Sequence, residues 1–382
     1  MPEEFGKDGE ICSHDRFYVH PAHGAPGPIT LENDKGVYQI QPLTGWRDAM
    51  RDEPLDIAFW NYDRTRALSD GRVRIEGIEA RFHTAPIVTE IFEAMVRRGA
   101  FDVSELGLTY FLRTFADGPS PFLALPVFPN RAFRHSAIYV STASGIERPE
   151  QLTGRTIGEL ALYGHDAGVM PKGILADEFG FRPECNRWIV GGIDFPMKPI
   201  DFVPQSHPAG VEVTLAPTGT DLGALLEAGE IDVLISADVP RCVLEGSPRV
   251  RRLFTDHKAV ERDYFRRTGI FPIMHAVVVT RELAEREPEV VQAVYRGFCD
   301  AKAVAAEELV RGMTFNNMGL MIPWLTDLLS QDRELLGAGW WPYGIRPNHA
   351  AIDAVLRYHH EQGLTARRLS VEEVFVPYLL DK

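Results

Sequence analysis

Gly269-Ile-Phe-Pro-Ile-Met-His-Ala-Val-Val-Val279 is the strongest β-run of the 382-residue chain. Its β-branched and aromatic residues follow a glycine and enclose a single proline, the composition of a buried strand entered through a bend. Two separate series of alternating strand and helix patterns precede it, and the chain after Pro288 is largely helical. A strand in that place reads as a return crossover, carrying the chain back to the sheet where the first series began. The molecule is then two-lobed.

Working outward, the first series opens with Leu55-Asp-Ile-Ala-Phe-Trp60, a buried strand, and a turn and second strand over Arg72–His83. Ile87, Ile91, Met95 and Val96 recur at helical spacing up to Arg98, and Gly99 closes that helix. Phe101-Asp-Val-Ser-Glu-Leu106 is a short strand leading into a helix; Leu123-Ala-Leu-Pro-Val-Phe128, interrupted by proline, suits an edge or crossover segment. The second series has strands at Ala137–Val140, after Pro149–Gly158, at Val211–Leu215 and at Glu230–Ser236. Helices are expected at Met170–Phe179 and at Leu222–Ala228, the latter ended by Gly229. Strands separated by helices imply mostly parallel sheets with helices on both faces, an α/β fold. The expected organisation is an N-terminal extension over 1–54, one lobe from 55–133 and 270–382, and a second lobe from 134–269.

A formal charge of −14 leaves no basic surface to displace counterions from nucleic acid. No apolar run approaches the roughly 20 residues of a membrane span. The first residues, Met1-Pro-Glu-Glu-Phe-Gly-Lys-Asp, carry no apolar signal core, and Cys12, Cys185, Cys242 and Cys299 form no close pair. A cytoplasmic, homo-oligomeric protein with free thiols is the expectation. His14, His20 and His23 lie among Pro and Gly, a pattern that fits an arm better than a metal site.

Several segments together resemble the 4,5-dihydroxyphthalate decarboxylase family: Tyr62-Asp-Arg-Thr-Arg-Ala-Leu-Ser-Asp-Gly71, Phe101–Leu106, Val127-Phe-Pro-Asn-Arg-Ala-Phe-Arg-His-Ser136, Gly229-Glu-Ile-Asp-Val-Leu-Ile-Ser-Ala237, Gly269–His275, Trp341-Pro-Tyr-Gly344 and Glu361-Gln-Gly-Leu364. They run in order from residue 55 to the end. The resemblance implies a type II periplasmic-binding-protein-like fold turned enzyme, with the ligand cleft between lobes. It also implies cofactor-independent loss of CO₂ from a hydroxylated aromatic dicarboxylate. The stretch Leu160–Gly173 departs from the family pattern, which leaves open a sibling enzyme for another aromatic or heteroaromatic acid. A non-catalytic binder or sensor of aromatic carboxylates is the rival reading.

In open α/β sheets ligands sit beyond the carboxyl ends of strands. Asn61-Tyr62-Asp63-Arg64 follows the first strand, so Tyr62, Asp63 and Arg64 belong at the cleft. Arg64 would fork onto a substrate carboxylate or pair with Asp70 or Glu90; Asp63 would partner a histidine or cap the next helix. Ser104 would receive an anion or serve as a cap. If Arg131-Ala-Phe-Arg-His-Ser136 is extended, Arg131, Phe133 and His135 share one face, offering a cation, an aromatic wall and an imidazole. His275 shares a face with Phe271 and Ile273 and is either a core histidine or a functional one. His165 and Asp166 are an acid–base pair or solvated loop charges. Ser236 and Asp238 end a strand, where Asp238 could orient a histidine or cap a helix. In the reaction the resemblance implies, Arg64 and Arg131 anchor carboxylates, His275 or His135 supplies the proton, and Asp63 or Asp238 keeps an imidazole protonated. A divalent metal held by His and Asp stays open, though no spacing asks for one.

Overall fold

The computed structural model describes residues 53–315 and 320–382, and the backbone of two paired strands within 29–40. Contacts divide the chain into two compact units, Met1–Asp52 and Glu53–Lys382. In the first, β1 (Ile29–Asn33) and β2 (Gly36–Ile40) pair antiparallel. His14, His20, His23 and Cys12 lie outside the described residues.

The second unit holds two sheets. β3 (Leu55–Ala58), β4 (Ala80–His83), β5 (Val103–Gly107) and β6 (Phe122–Leu125) come first in the chain. Then follow β7 (Ile138–Ser141), β8 (Thr156–Leu160), β9 (Arg187–Gly191), β10 (Glu212–Leu215), β11 (Val233–Ile235) and β12 (Val250–Arg252), and last β13 (His275–Thr280). The five-stranded sheet has the order β4-β3-β5-β13-β6 and the six-stranded one β10-β9-β8-β11-β7-β12. Each sheet is parallel except for one strand. β13 runs antiparallel to both β5 and β6, and β7 runs antiparallel to both β11 and β12. The two exceptions are the strands by which the chain enters the second sheet and returns to the first.

Ala276 to Val279 have no exposure, because β13 sits between two strands and is covered on both faces. That is why the run is apolar at every position rather than at alternate ones. Each of its valines contributes about 1.5–3 kcal/mol by burial. The expected strand over Gly269–Val279 is shortened, however. Regular pairing begins only at His275, while the preceding stretch lies beside Asn130–Ala132, with Ala132 N donating to Pro272 O and an isolated bridge joining Arg131 to Ile273. Pro272 has no N–H to give a sheet, so the segment bends in before it pairs.

Helices follow the sequence closely. Val88–Arg98 ends at Gly99 with φ 55°, and Leu222–Ala228 ends at Gly229 with φ 78°, left-handed positions that glycine occupies without penalty. The helix expected from Met170 starts earlier, at Asp166, because His165 caps it: its Nδ1 accepts from Ala167 N at 3.0 Å. Among the described residues no helix is long and apolar enough to cross a membrane.

Candidate active site

The carboxyl ends of β3 and β5 and the start of β13 meet the segment that follows β8. His275 is the first residue of β13 and pairs in register with Gly107, while Glu105 pairs with Val277. Side chains two residues apart share a sheet face, so Glu105 reaches His275 diagonally. His275 Nδ1 donates to Glu105 Oε1 at 2.6 Å. The same oxygen accepts from the Tyr62 hydroxyl at 2.7 Å, and Glu105 Oε2 accepts from Trp60 N at 2.8 Å. Glu105 has no exposed surface, so all its oxygen contacts are within the protein. Phe92 stands edge-on to the imidazole at 5.1 Å. With Nδ1 committed, Nε2 is the nitrogen left to work. It faces Asn130 Nδ2 at 3.5 Å and Asp166 Oδ2 at 4.0 Å.

Asp166 comes from the other sheet's half. Its Oδ1 accepts from Thr109 N at 2.7 Å, a bond between the two halves. Its Oδ2 is buried and has no hydrogen-bond partner among the described residues. A Cβ on Gly107 would stand 2.1 Å from that oxygen, so only glycine there lets the two strands' ends come together. Burial pushes the Asp166 carboxyl up to about 6, against the pull of His275 and Arg134. His165 is driven the other way, to about 3, first by burial and then by the nearby Arg134 and His275 charges. It is neutral, and since Nδ1 accepts from Ala167 N, its proton is on Nε2. Among the described residues no group of three or more His, Cys, Asp and Glu side chains is gathered so as to hold a metal ion.

Over 327 residues, 86% of this chain and 97% of the other, the sequence is 37% identical to 4,5-dihydroxyphthalate decarboxylase of Comamonas testosteroni. The chain belongs to the 4,5-dihydroxyphthalate decarboxylase family. It is accordingly a carboxy-lyase, an enzyme that breaks a carbon–carbon bond. The 4,5-dihydroxyphthalate decarboxylase of Pseudomonas putida is 35% identical over 212 residues, 56% of this chain and 81% of its own. A periplasmic sulfonate-binding protein of Methylobacillus flagellatus superposes with a TM-score of 0.53 at 14% identity, covering 87% of this chain and 94% of that one. That likeness shows the two-lobed periplasmic-binding-protein fold. No family model matches the chain.

Within this decarboxylase the expected site residues separate into two groups. His275 and Tyr62 are joined through Glu105, and His165 lies on the facing segment, its ring edge-on to Tyr110. The others are engaged elsewhere. Arg131 is buried and donates to Phe271 O at 2.6 Å and Pro342 O at 3.2 Å; its guanidinium lies over the Phe271 ring. Arg64 is held by Pro129 O and Asp63, not by Asp70 or Glu90, and is stacked between Tyr62 and Trp341 at 4.2 and 4.3 Å. It borders an open pocket with Lys302, Trp340 and Trp341. Asp63 begins the helix Asp63–Ser69, whose cap is Tyr62, and it accepts from Arg64. Ser104 is buried and donates to Glu105 O. Ser236 Oγ accepts from Asp238 N, and Asp238 is exposed, with Pro240 capping the next helix.

The face expected to unite Arg131, Phe133 and His135 is broken. A single 3₁₀ turn over His135–Ala137 ends the extended stretch before the histidine. Phe133 stacks on Phe271 at 4.8 Å, whereas His135 packs edge-on against Phe254 and Tyr264. Among the described residues neither His135 ring nitrogen has a hydrogen-bond partner, and burial holds its basicity down. His165 and Asp166 are buried as well, not solvated. Glu105 and Asn130 went unnoticed in the sequence. The available signal was a carboxylate inside Phe101–Leu106, a strand otherwise fit for the interior, where a charge persists only if paired.

Asp166 carries a measurable cost. Asp166→Asn keeps an acceptor for Thr109 N and removes a buried charge. The wild-type carboxyl, raised from 3.8 to about 6, loses stability for the fold as pH climbs from about 4 through 6. The variant is therefore expected to gain up to about 3 kcal/mol over wild type at pH 7.5, at 1.36 kcal/mol per pK unit, and little at pH 3.5. Urea unfolding at the two pH values checks it; a gain that does not shrink in acid contradicts a buried ionised Asp166.

Proposed function

We propose that this enzyme removes CO₂ from a hydroxylated aromatic dicarboxylate of the 4,5-dihydroxyphthalate type, with no organic cofactor and no metal, by protonating the carbon that bears the departing group. The supporting observation is the orientation of His275. Its Nδ1 is tied to a buried Glu105 that Tyr62 and Trp60 also hold, so Nε2 is aimed into the site beside Asp166.

The chemistry needs a ring that can accept a proton. A hydroxyl ortho or para to the departing carboxylate pushes electron density onto the carbon to which that carboxylate is attached. The imidazolium Nε2–H transfers its proton to this carbon, and Glu105 offers the resulting charge change a fixed counter-ion. The carbon–carboxylate bond then breaks; its electron pair returns to the ring and CO₂ departs. One proton is consumed per turnover. Asp166, whose carboxyl burial raises to about 6 and whose Oδ2 lies 4.0 Å from Nε2, is the acid that would return the proton to the imidazole.

The test is direct. Purified protein is mixed with 4,5-dihydroxyphthalate, unsubstituted phthalate and a series of hydroxybenzoates, with CO₂ release and ultraviolet spectra followed. Release from the dihydroxylated diacid and none from phthalate is expected, at a rate that survives exhaustive chelation. Binding without CO₂ from any hydroxylated acid would make the protein a sensor, and loss of rate on chelation would restore a metal to the mechanism.

A further inference from the structure

Among the described residues, Arg134 is a buried cation that no protein oxygen accepts from. Arg64, Arg113, Arg131 and Lys172 each donate to protein oxygens through at least one terminal nitrogen, to Asp63, to Pro204 O and Tyr163 O, to Phe271 O and Pro342 O, and to Glu159 respectively, although the Nε of Arg113 and of Arg131 is unpartnered among the described residues. Arg134 differs. It is 7% exposed, and among the described residues its single hydrogen bond runs from Nε to Met274 Sδ at 3.0 Å, a weak acceptor. Burial lowers its basicity only to about 10, so it is charged at neutral pH. Asp166 and Asp238 are near enough to favour that charge, yet neither forms an ion pair with it. Burial strips most of the water from this guanidinium without supplying an acceptor, and its terminal nitrogens, which are not sealed off, are the atoms left to bond a ligand. Met274 directly precedes His275, and the guanidinium and the imidazole both act on Asp166 and on His165, which puts the fork in the neighbourhood of the proton donor.

We propose that Arg134 is the specificity-determining residue of this site: its fork takes the carboxylate that stays on the ring, and so presents the neighbouring carboxylate's carbon to the proton donor. The inference rests on the decarboxylase reading above. A planar guanidinium receives a carboxylate through two parallel hydrogen bonds, which fixes ring orientation as well as position. With the retained carboxylate on Arg134, the adjacent ring carbon is the one presented to His275 Nε2.

Binding, not turnover, is the discriminating measurement. 3,4-Dihydroxybenzoate carries one carboxylate and both hydroxyls; catechol carries the hydroxyls alone. Arg134→Met fills similar volume without a charge, and Arg134→Lys keeps the charge without the fork. Calorimetry is expected to show 3,4-dihydroxybenzoate binding weakened about 10–100-fold by Arg134→Met, the worth of a charge-assisted hydrogen bond, and partly restored by Arg134→Lys. Catechol binding is expected to be the same in all three proteins. Equal 3,4-dihydroxybenzoate affinity in wild type and a folded Arg134→Met, checked by its unfolding midpoint, overturns the assignment. So does an equal loss for catechol, which would mean a collapsed site. Failure of the wild type to release CO₂ sinks the decarboxylase reading instead, whichever way the binding falls.

Discussion

His275→Gln is expected to lower kcat about 10²–10⁴-fold while leaving KM within a small factor, the loss typical of a positioned proton donor. The amide keeps a polar group opposite Glu105 but cannot deliver a proton to carbon. Stopped assays over a range of enzyme concentrations measure it, with the unfolding midpoint as control. The partner experiment is His135→Leu. That ring sits against Phe254 and Tyr264 with both nitrogens unbonded, so an apolar replacement suits the cage and kcat should not change. The pair of variants separates the histidines between which residue order alone could not choose. Near wild-type turnover in a folded His275→Gln would remove the imidazole from the chemistry and leave Asp166 as the proton source.

The fold was legible because its signals are local and repeated. Apolar runs bounded by Gly99 and Gly229 mark where helices stop, and the return strand declares itself by being apolar at every position. The site was legible only in part, and the misses share a cause. Whether a charged side chain faces ligand or protein depends on backbone carbonyls contributed from far along the chain. Arg131 looked like an anchor, but Phe271 O and Pro342 O, 140 and 211 residues away, take its two terminal nitrogens. Arg134, on the opposite face of the presumed strand, was given no role in the sequence and ends up free of such acceptors. A turn of three residues at His135 sufficed to separate groups that strict alternation would have united. Glu105 was hidden for a different reason: its importance lies in a diagonal contact across β5 and β13, a pairing that no local pattern encodes.

Lys172→Met is expected to cost about 3–5 kcal/mol of stability, since it leaves one half of a buried ion pair uncompensated. Lys172 and Glu159 have no exposed surface and are joined by two contacts of 2.8 and 3.0 Å. Burial raises the carboxyl and lowers the ammonium, pushing the two groups towards each other in proton affinity. The ammonium also lies over the Tyr163 ring at 3.7 Å and the Trp188 ring at 4.7 Å, so its removal forfeits cation–π contacts too. No rearrangement can hide the orphaned carboxylate. Glu159 Oε1 already occupies the place of a Cβ on Gly168, and it fixes Gly164 N at 3.0 Å. The double variant Glu159→Gln, Lys172→Met removes both charges while retaining an acceptor for Gly164 N, and should recover most of the loss. Because the segment from Gly164 to Asp166 rests on Glu159, the double variant should also be slower at near wild-type stability, the amide gripping that turn more weakly than the carboxylate. Urea midpoints at constant m-value, read beside kcat, decide the matter. If the single variant unfolds no more easily than wild type, the pair does not bear on folding; if the double variant keeps full turnover, it does not hold Asp166 in place.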